Sequence, residues 1–211
     1  MSTRLILLRH GETDLNTTGC FLGDLDIPLS SKSDHVLKNI ANFFQFPIAA
    51  IVSSPLIRAS QTANIINTEL NIPIIIEPDL KEISFGLWEG KTSKEVAPEI
   101  LAQWTSRNVV PTTGPTNGET LEHLGNRVEI CLNRICESYP NETIVVVTHT
   151  YVIKAALDRA MELPNGYHAN RLWLETGSVT IIDWNLNSDK RIVHRVNWTP
   201  NLRVRSGLKK S

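Results

Sequence analysis

The sequence predicts an α/β fold with a mostly parallel sheet, helices on both faces, an antiparallel edge and a small helical cap. Short runs rich in β-branched residues alternate along the chain with longer segments of helical periodicity, which is the pattern of strands connected by helices. Several of the strand-like runs are apolar throughout, as expected of strands covered on both faces. One long irregular stretch interrupts the alternation, and such stretches in compact domains are usually lids or binding loops.

Six strands and four helices are predicted in order along the chain. The strands are Leu5–Leu8, Ala50–Val52, Ile74–Ile76, Thr143–Thr148, Val179–Trp184 and Ile192–Val196. The helices are Val36–Phe46, Leu56–Leu70, Leu121–Cys136 and Val152–Met161, and apolar residues fall on one face of the second and third. The last two strands are joined by residues 185–190 and are expected to form a hairpin, which supplies the antiparallel edge.

The irregular stretch lies between Pro78 and Gly118 and is rich in glycine, proline and aromatic residues. We expect residues from about 83 to 118 to form a small helical cap over the functional site. The cap is too short to be a second domain, so the chain is interpreted as one domain spanning residues 1–211. Its basic end, residues 203–211, is expected to be a flexible tail.

Composition restricts the class of protein. The 211 residues are 41% hydrophobic and carry 21 Lys and Arg against 22 Asp and Glu, a formal net charge of -1. This is the composition of a globular protein, and it lacks the basic charge expected of a protein that binds nucleic acid or an anionic membrane. The three cysteines have no Cys-x-x-Cys spacing, and no apolar run is long enough for a signal peptide or a membrane span. We therefore expect a cytoplasmic protein with no nucleic-acid or membrane partner; a homodimer remains open.

Basic side chains follow three of the predicted strands. The first strand is followed by Arg9 and His10, the second leads to Arg58, and the fourth is followed by His149. Ligands of open α/β sheets bind at the carboxyl ends of the strands, so we expect these side chains to converge. Two arginines and two histidines suit a phosphate dianion. The spacing is not that of a zinc site, and neighbouring arginines would repel a metal cation.

Arg58 is expected in the first turn of the second helix, with Ser54 as the N-cap and Pro55 as the first helical residue. The helix dipole disfavours a cation there by about 0.3–1 kcal/mol. A bound anion would explain the position. An ion pair between Arg58 and a neighbouring carboxylate is the alternative.

Several blocks of sequence resemble the histidine phosphatase superfamily, the phosphoglycerate-mutase-like proteins. They run in the family's order from residue 5 to about residue 182: Leu8-Arg9-His10-Gly11-Glu12-Thr13 with Asn16, Gly23-x-x-Asp26-x-Pro28-Leu29, Ser53-Ser54-Pro55-Leu56-x-Arg58-Ala59, Glu82-x-x-Phe85-Gly86-x-Trp88-Glu89-Gly90, Gly118-Glu119-Thr120 and Val145-Val146-Val147-Thr148-His149. The Arg-His-Gly triplet alone is weak evidence, whereas the blocks together are specific.

The resemblance implies a phosphoryl-enzyme mechanism with no metal and no cofactor. His10 would be the nucleophile, and Glu82 would protonate the leaving oxygen and then activate water. Arg9, Arg58 and His149 would bind the phosphoryl oxygens, with a further donor from Asn16. Nearby positive charges should keep His10 neutral, as attack requires.

One departure from the family concerns the pocket, and one block bears on the type of reaction. The family commonly has two glycines after the second histidine, where this chain has Thr150 and Tyr151. The block Glu82-Ile83-Ser84-Phe85-Gly86 resembles the phosphatase branch, which includes α-ribazole phosphatases and broad-specificity phosphatases, more than the cofactor-dependent mutases. A phosphatase acting on a small phosphorylated metabolite is therefore predicted, with a phosphoglycerate mutase and an inactive phospho-ligand-binding module as alternatives.

The substrate itself stays open among phosphoserine, α-ribazole phosphate, a sugar phosphate and a phosphoglycerate derivative. The residues expected to line its pocket are Phe21, Leu22, Gly23, Trp88, Thr150 and Tyr151, with Phe85, Trp104 and His168 as further candidates. For any one of the aromatic residues, packing in the core is the alternative.

Overall fold

The computed structural model describes residues 2–44, 46–96, 102, 104, 114–186 and 190–200. The predicted tail, residues 203–211, and the central part of the predicted cap lie outside the described residues. The strands are β1 (Ser2–Arg9), β2 (Ala50–Ser53), β3 (Ile74–Ile76), β4 (Thr143–Thr148), β5 (Val179–Asn185) and β6 (Ile192–Trp198). The helices are α1 (Ser33–Ala41), α2 (Ile57–Leu70), α3 (Leu121–Ser138) and α4 (Thr150–Ala160), with short 3-10 helices at Asp14–Thr17, Pro78–Leu80 and Gly86–Trp88.

The six strands form one mixed sheet in the order β3-β2-β4-β1-β5-β6. The four strands β3, β2, β4 and β1 are parallel, whereas β5 runs antiparallel to β1 and pairs with β6 in an antiparallel hairpin. The predicted fold class is therefore confirmed, including the antiparallel edge.

Strand β1 shows why the sheet is covered on both faces. Its side chains alternate: Leu5 and Leu7 pack into the core on the side of α3 and α4, and Ile6 and Leu8 pack into the core on the side of α1 and α2. All four are at most 1% exposed. A strand buried on both faces is apolar without interruption, which explains the run from Leu5 to Leu8.

Helix α1 differs from the prediction, which placed it at Val36–Phe46. It begins at Ser33, whose hydroxyl donates to the carbonyl of Glu12 at 2.8 Å, and it ends at Ala41. The chain then turns so that the ring of Phe43 packs on Trp198 of β6 with centroids 4.0 Å apart. The apolar residues after Ala41 thus serve a contact between elements instead of continuing the helix.

The described part of the cap is joined to the segment before α1. Isolated bridges pair Phe21 with Glu89 and Cys20 with Thr92, and main-chain hydrogen bonds join Phe21 to Gly90 and Lys91 at 2.9 Å each. These contacts bring residues 20–25 and 82–92 together beside the ends of the parallel strands. Across the described ranges, no helix combines the length and the apolar character needed to cross a membrane.

Candidate active site

The predicted convergence at the sheet edge is present. Arg9 ends β1 and His10 follows it, while His149 follows β4 and lies at the N-cap of α4. Because β1 and β4 are neighbouring parallel strands in register, Arg9 lies beside Thr148, and the rings of His10 and His149 have their centroids 5.1 Å apart. Arg58 reaches the same edge from α2, on the other side of β4.

His10 is buried, and its hydrogen bonding defines its tautomer. Its Nδ1 lies 2.7 Å from the carbonyl oxygen of Gly11. A carbonyl only accepts hydrogen bonds, so Nδ1 carries the proton and Nε2 keeps its lone pair. Burial lowers the pKa of His10 well below the ordinary value, and the charges of Arg9 and Arg58 lower it further. His10 is therefore a neutral imidazole whose Nε2 is available as a nucleophile.

His149 is fully buried and is oriented by a serine. Its Nε2 lies 2.8 Å from Ser54 Oγ. Ser54 Oγ also accepts the main-chain N–H of Leu56 at 3.3 Å. Burial lowers the pKa of His149 well below the ordinary value, with further lowering by Arg58. A neutral His149 that accepts the Ser54 hydroxyl proton at Nε2 presents an N–H donor at Nδ1.

Arg58 lies in the first turn of α2, as predicted, but its local partners are not those expected. Its two terminal nitrogens donate to main-chain carbonyls, Nη1 to Leu25 at 2.6 Å and Nη2 to Gly23 at 2.8 Å. Among the described residues it forms no ion pair with a carboxylate, the alternative considered from the sequence. Burial lowers the pKa of Arg58, partly offset by the charges of Glu82 and Asp26.

The predicted cap of α2 is wrong. The helix begins at Ile57, its N-cap is Leu56, and neither Ser54 nor Pro55 is helical. The free N–H of Ile57 donates instead to the Asp26 carboxylate at 2.6 Å. A carboxylate from a distant loop therefore caps α2, while Ser54 Oγ accepts the N–H of Leu56 and pairs with His149.

Three unpaired donors point to an anion. Arg9 Nε, Arg58 Nε and His149 Nδ1 are each buried without a hydrogen-bond partner in the described part of the chain. Buried polar groups in proteins are nearly always paired, because an unpaired buried donor is costly. The three donors belong to three of the residues predicted to bind phosphate. A multi-oxygen anion is a ligand that would satisfy them together.

Arg9 is the other arginine at this edge; its side chain is partly buried, whereas Arg58 is fully buried. Nη1 of Arg9 donates to the main-chain carbonyl of Leu174. Burial lowers the pKa of Arg9 to about 10, although the negative charges of Glu82 and Glu175 act to raise it. Its guanidinium thus remains charged near neutral pH. Asn16 lies in the 3-10 helix after this loop, where its Oδ1 accepts the N–H of Thr13 at 2.8 Å and leaves the amide NH2 as the donor.

Glu82 faces the same edge from the segment between β3 and the cap. Its side chain is 8% exposed, and Oε1 accepts the main-chain N–H groups of Ile83 at 3.1 Å and Tyr151 at 3.0 Å. Burial raises the pKa of Glu82, while these two hydrogen bonds and the charges of Arg58 and Arg9 lower it in part. A carboxyl whose pKa is raised can hold a proton and deliver it, as a general acid must.

The main chain before Glu82 is held at three successive carbonyls. Arg127 of α3 donates to the carbonyls of Asp79 at 2.6 Å and Lys81 at 3.1 Å, and the Thr148 hydroxyl donates to the carbonyl of Leu80 at 2.8 Å. Arg127 is itself held by Glu119 through two bonds of 2.9 and 2.7 Å. The position of Glu82 is therefore fixed by residues far away in the sequence.

The predicted pocket residues divide between an aromatic cluster and the edge of the site. Phe21, Phe85, Trp88, Trp104 and Tyr151 contact one another with ring centroids 5.0 to 6.2 Å apart. Trp88 is 5% exposed and packs in the core, as the alternative interpretation allowed, whereas Phe21 and Tyr151 are only partly buried.

Gly23, Leu22 and Thr150 lie closer to the charged groups. Gly23 has a φ of +50°, and a Cβ there would collide with the Glu89 carboxylate, so both conformation and space favour glycine. Its carbonyl is one of the two that hold Arg58. Leu22 precedes it in the same turn, and Thr150 is the first residue of α4. His168 lies farther along, with Nδ1 2.5 Å from Asp158 Oδ1.

The sequence reasoning did not predict the contacts of Asp26 and Arg127 or the burial of Lys154. Asp26 and Glu119 belong to blocks that resemble the family, but the spacing of residues along the chain does not show which groups these carboxylates contact. Lys154 carried a signal that was overlooked: it is the one charged residue within the otherwise apolar run Val152–Leu157, on a helix face that must be buried. Among the described residues, no group of three or more His, Cys, Asp or Glu side chains is arranged to hold a metal ion.

Known proteins resemble this chain over most of its length. The profile of the histidine phosphatase superfamily (branch 1) matches residues 5–199. A bifunctional protein of Mycobacterium tuberculosis is 32% identical over 203 residues, which are 93% of this chain and 55% of that protein. The chain thus spans about half the length of this relative. The adenosylcobalamin/alpha-ribazole phosphatase of Escherichia coli is 29% identical over 86% of this chain and 90% of its own.

A solved structure shares the fold over nearly the whole length. A phosphoserine phosphatase mutant from Entamoeba histolytica, in complex with phosphoserine, superposes with a TM-score of 0.81 at 26% identity, covering 92% of this chain and 96% of that one. The family profile alone covers far more than half of the sequence. The protein is therefore a member of the histidine phosphatase superfamily, branch 1.

Proposed function

We propose that the protein is a metal-independent phosphomonoesterase that hydrolyses a small phosphorylated metabolite through a phosphohistidine at His10. The observation that carries this proposal is a set of three buried donors, on Arg9, Arg58 and His149, that have no partner among the described residues and lie around a neutral imidazole. The relatives named as phosphatases support the reaction class. The free cysteines suit a reducing cytoplasm.

In the first step, His10 Nε2 attacks the phosphorus atom and the bond from phosphorus to the ester oxygen breaks. The imidazole becomes cationic, and its Nδ1–H keeps donating to the Gly11 carbonyl. Arg9, Arg58 and His149 stabilise the charge on the transferring oxygens, with Asn16 as a further donor. Glu82 gives its proton to the departing oxygen, so the alcohol leaves neutral.

In the second step, the Glu82 carboxylate accepts a proton from a water molecule as that water attacks phosphorus. The bond from His10 Nε2 to phosphorus breaks, and inorganic phosphate is released. Glu82 is again protonated and His10 is again neutral, so the cycle closes without a net change in the protein. One carboxyl acts as acid and then as base, which requires that it keep its place through both steps.

The test is hydrolysis of p-nitrophenyl phosphate with and without a chelator, in the wild type and in His10→Ala. We expect the wild type to keep its rate in EDTA and the variant to fall to background and to lose acid-labile labelling by a phosphorylated substrate. His35→Ala is the matched control, because His35 is exposed on α1, where its Nδ1 lies 3.4 Å from the Asn39 amide nitrogen.

Each alternative has its own outcome in this experiment. Loss of wild-type activity in EDTA, or a His10→Ala variant that still turns over, contradicts the proposal. An inactive wild type that binds phosphate or vanadate would indicate a phospho-ligand-binding module. A wild type that moves phosphate between positions of phosphoglycerate faster than it releases phosphate would indicate a mutase. A panel of phosphomonoesters, including phosphoserine and α-ribazole phosphate, then defines the substrate.

A further inference from the structure

Glu89 joins two segments that carry different parts of the site, and the reaction described above does not use it. It follows the 3-10 helix Gly86–Trp88, and its side chain is partly buried. One carboxylate oxygen, Oε1, accepts the main-chain N–H groups of Asp24 at 3.1 Å and Phe85 at 3.0 Å, and also the hydroxyl of Ser84 at 3.3 Å. A carboxylate accepts such bonds more strongly than a neutral group does, so the two segments are held at one point.

The first of these segments is the turn that holds Arg58. The carbonyls of Gly23 and Leu25 accept hydrogen bonds from the two terminal nitrogens of Arg58 at 2.8 and 2.6 Å. Asp24, whose N–H donates to Glu89, stands between these two residues in the chain. A displacement of Asp24 would therefore move both of the carbonyls that orient the guanidinium.

The second segment directly follows Glu82. Ser84 and Phe85 come two and three residues after it, and Ile83, which lies between, is fully buried. Contacts from α3 and β4 fix the main chain before Glu82. Glu89 fixes the main chain on the other side of the same residue, at Phe85.

The turn at Gly23 is shaped to admit the Glu89 carboxylate. A Cβ at Gly23 would collide with Oε1, so only a glycine leaves the carboxylate free to reach the Asp24 N–H. The main-chain pairing of Phe21 with residues 90 and 91, at 2.9 Å each, ends before this turn. The Glu89 side chain therefore extends the junction between the two segments as far as the residues that hold the guanidinium.

We propose that Glu89 is a positioning residue that fixes Arg58 and Glu82 relative to each other, so that both act on the same ester bond. This inference rests on the proposed function and adds a residue to its machinery. The role requires the reach of the side chain and an accepting oxygen, and it does not require a proton from Glu89. Glutamine has the same length and an accepting oxygen, whereas aspartate is one methylene shorter.

The experiment measures the single-turnover rate of phosphoenzyme formation from glycerol 3-phosphate and from p-nitrophenyl phosphate. We expect Glu89→Ala to lower the rate by about 100-fold on the alkyl ester and about tenfold on the aryl ester, which needs no proton from Glu82 in order to leave. Glu89→Gln should keep most of both rates. Glu95→Ala is the matched control, because Glu95 is an exposed carboxylate of the same segment whose hydrogen bonds within the described residues go to Thr92.

Double variants distinguish this role from a general loss of packing. In the Arg58→Ala background, Glu89→Ala should cause no further loss on p-nitrophenyl phosphate. In the Glu82→Gln background, its loss on glycerol 3-phosphate should shrink to the loss seen on the aryl ester. Glu89→Gln should keep the pH dependence of the alkyl reaction, since Glu82 still titrates.

Thermal unfolding of each variant identifies one that is merely less stable, and Glu89→Asp replaces Glu89→Ala if the latter does not fold. Additive losses in both backgrounds, equal losses in Glu89→Ala and Glu95→Ala, or a Glu89→Gln variant as slow as Glu89→Ala would overturn the assignment. A Glu89→Gln variant that loses the pH dependence would make Glu89 the general acid and overturn it too. In all these cases the wild type still hydrolyses p-nitrophenyl phosphate, whereas absence of all phosphatase activity in the wild type overturns the proposed function, and this inference with it.

Discussion

The two halves of the proposed site are built in different ways. The phosphoryl-binding half, made of Arg9, His10, Arg58 and His149, stands at the ends of neighbouring strands and in the first turns of the helices that follow them. The leaving-group half is organised around Glu82, which lies between two short 3-10 helices and is held by contacts from α3, β4 and α4.

The two halves therefore differ in what positions their residues: the sheet topology in the first half, and individual hydrogen bonds in the second. The register of β1 and β4 brings Arg9, His10 and His149 together, and the pairing of β2 with β4 brings in Arg58 from the helix that follows β2. The second half depends on hydrogen bonds between side chains and main chain that join residues 46 to 69 positions apart. We therefore expect changes in the phosphoryl-binding half to reduce the activity on every substrate, and changes in the leaving-group half to depend on the alcohol that departs.

The largest of the following effects is expected at Arg58. Arg58→Ala removes a donor of the transition state and should lower kcat by about 10²–10³-fold on alkyl and aryl phosphates alike. Arg58→Lys should recover little, because an ammonium cannot replace the fork that holds the carbonyls of Gly23 and Leu25. The measurement is kcat on both classes of ester, with competitive inhibition by vanadate as a second measure of anion binding.

The control for Arg58 is Arg4→Ala, which removes an arginine from the far end of β1 where it pairs with Asp183 at 2.8 Å. Its side chain is half exposed and should leave kcat unchanged. A lysine variant of Arg58 with near-complete activity would place this residue outside the transition state.

Glu82→Gln distinguishes the two halves directly. An alkyl alkoxide needs a proton in order to leave, whereas p-nitrophenolate does not, so we expect a loss of about 10²-fold or more on alkyl phosphates and a much smaller loss in release of p-nitrophenol. Formation and hydrolysis of the phosphoenzyme are measured separately, because Glu82 is proposed to act in both steps. An equal loss of phosphoenzyme formation on all esters would make Glu82 structural and leave Glu89 as the next carboxylate to test.

The pH dependence of the same reaction follows from the raised pKa of Glu82. A general acid acts only while it is protonated, so phosphoenzyme formation from an alkyl ester should be constant below the pKa of Glu82 and fall as the pH rises through it. Burial raises that pKa, which extends the active range toward higher pH. Glu82→Gln should abolish this fall in the rate of phosphoenzyme formation at high pH. A fall in rate that persists in the variant would be caused by the titration of another group.

The smallest of these effects is expected at Arg127, whose hydrogen bonds within the described residues go to the main chain before Glu82 and to the Glu119 carboxylate. Arg127→Met should lower kcat on alkyl phosphates by about tenfold through misplacement of Glu82 and leave p-nitrophenyl phosphate nearly unaffected. Loss of this positive charge should also raise the pKa of Glu82, so the fall in the rate of phosphoenzyme formation should occur at higher pH. In the Glu82→Gln background the same change should have no further effect on kcat.

Arg134→Met is the matched control for Arg127. Arg134 lies two turns along α3 and pairs with Glu77 and Asp79 at 2.7 and 3.0 Å, but makes no contact with the carbonyls before Glu82. A similar loss in both variants would indicate a general weakening of the packing of α3. Additive losses of Arg127→Met and Glu82→Gln would likewise contradict a role through Glu82.

The sequence was most informative where local pattern and topology coincide. The apolar run of β1 and that of β4 identified the buried parallel strands, and the residues directly after them identified His10 and His149. The pattern was least informative at the ends of helices. Helix α1 stops at Ala41 because Phe43 packs on Trp198, and α2 starts at Ile57 because Asp26 supplies its cap; both partners are distant in the chain.

The sequence by itself therefore determined the sheet, its antiparallel edge and the residues at the carboxyl ends of its parallel strands. A parallel strand buried on both faces is apolar throughout, so the first polar residues after it mark where it ends. Only the tertiary structure decided how those residues are held. Three features depend on which groups meet across the fold: the tautomer of His10, the anchoring of Glu82 through Tyr151 and Arg127, and the three donors that lack a partner in the described part of the chain. Hydrogen bonds and desolvation act over a few ångströms in space, and spacing along the chain does not encode which distant groups come within that range.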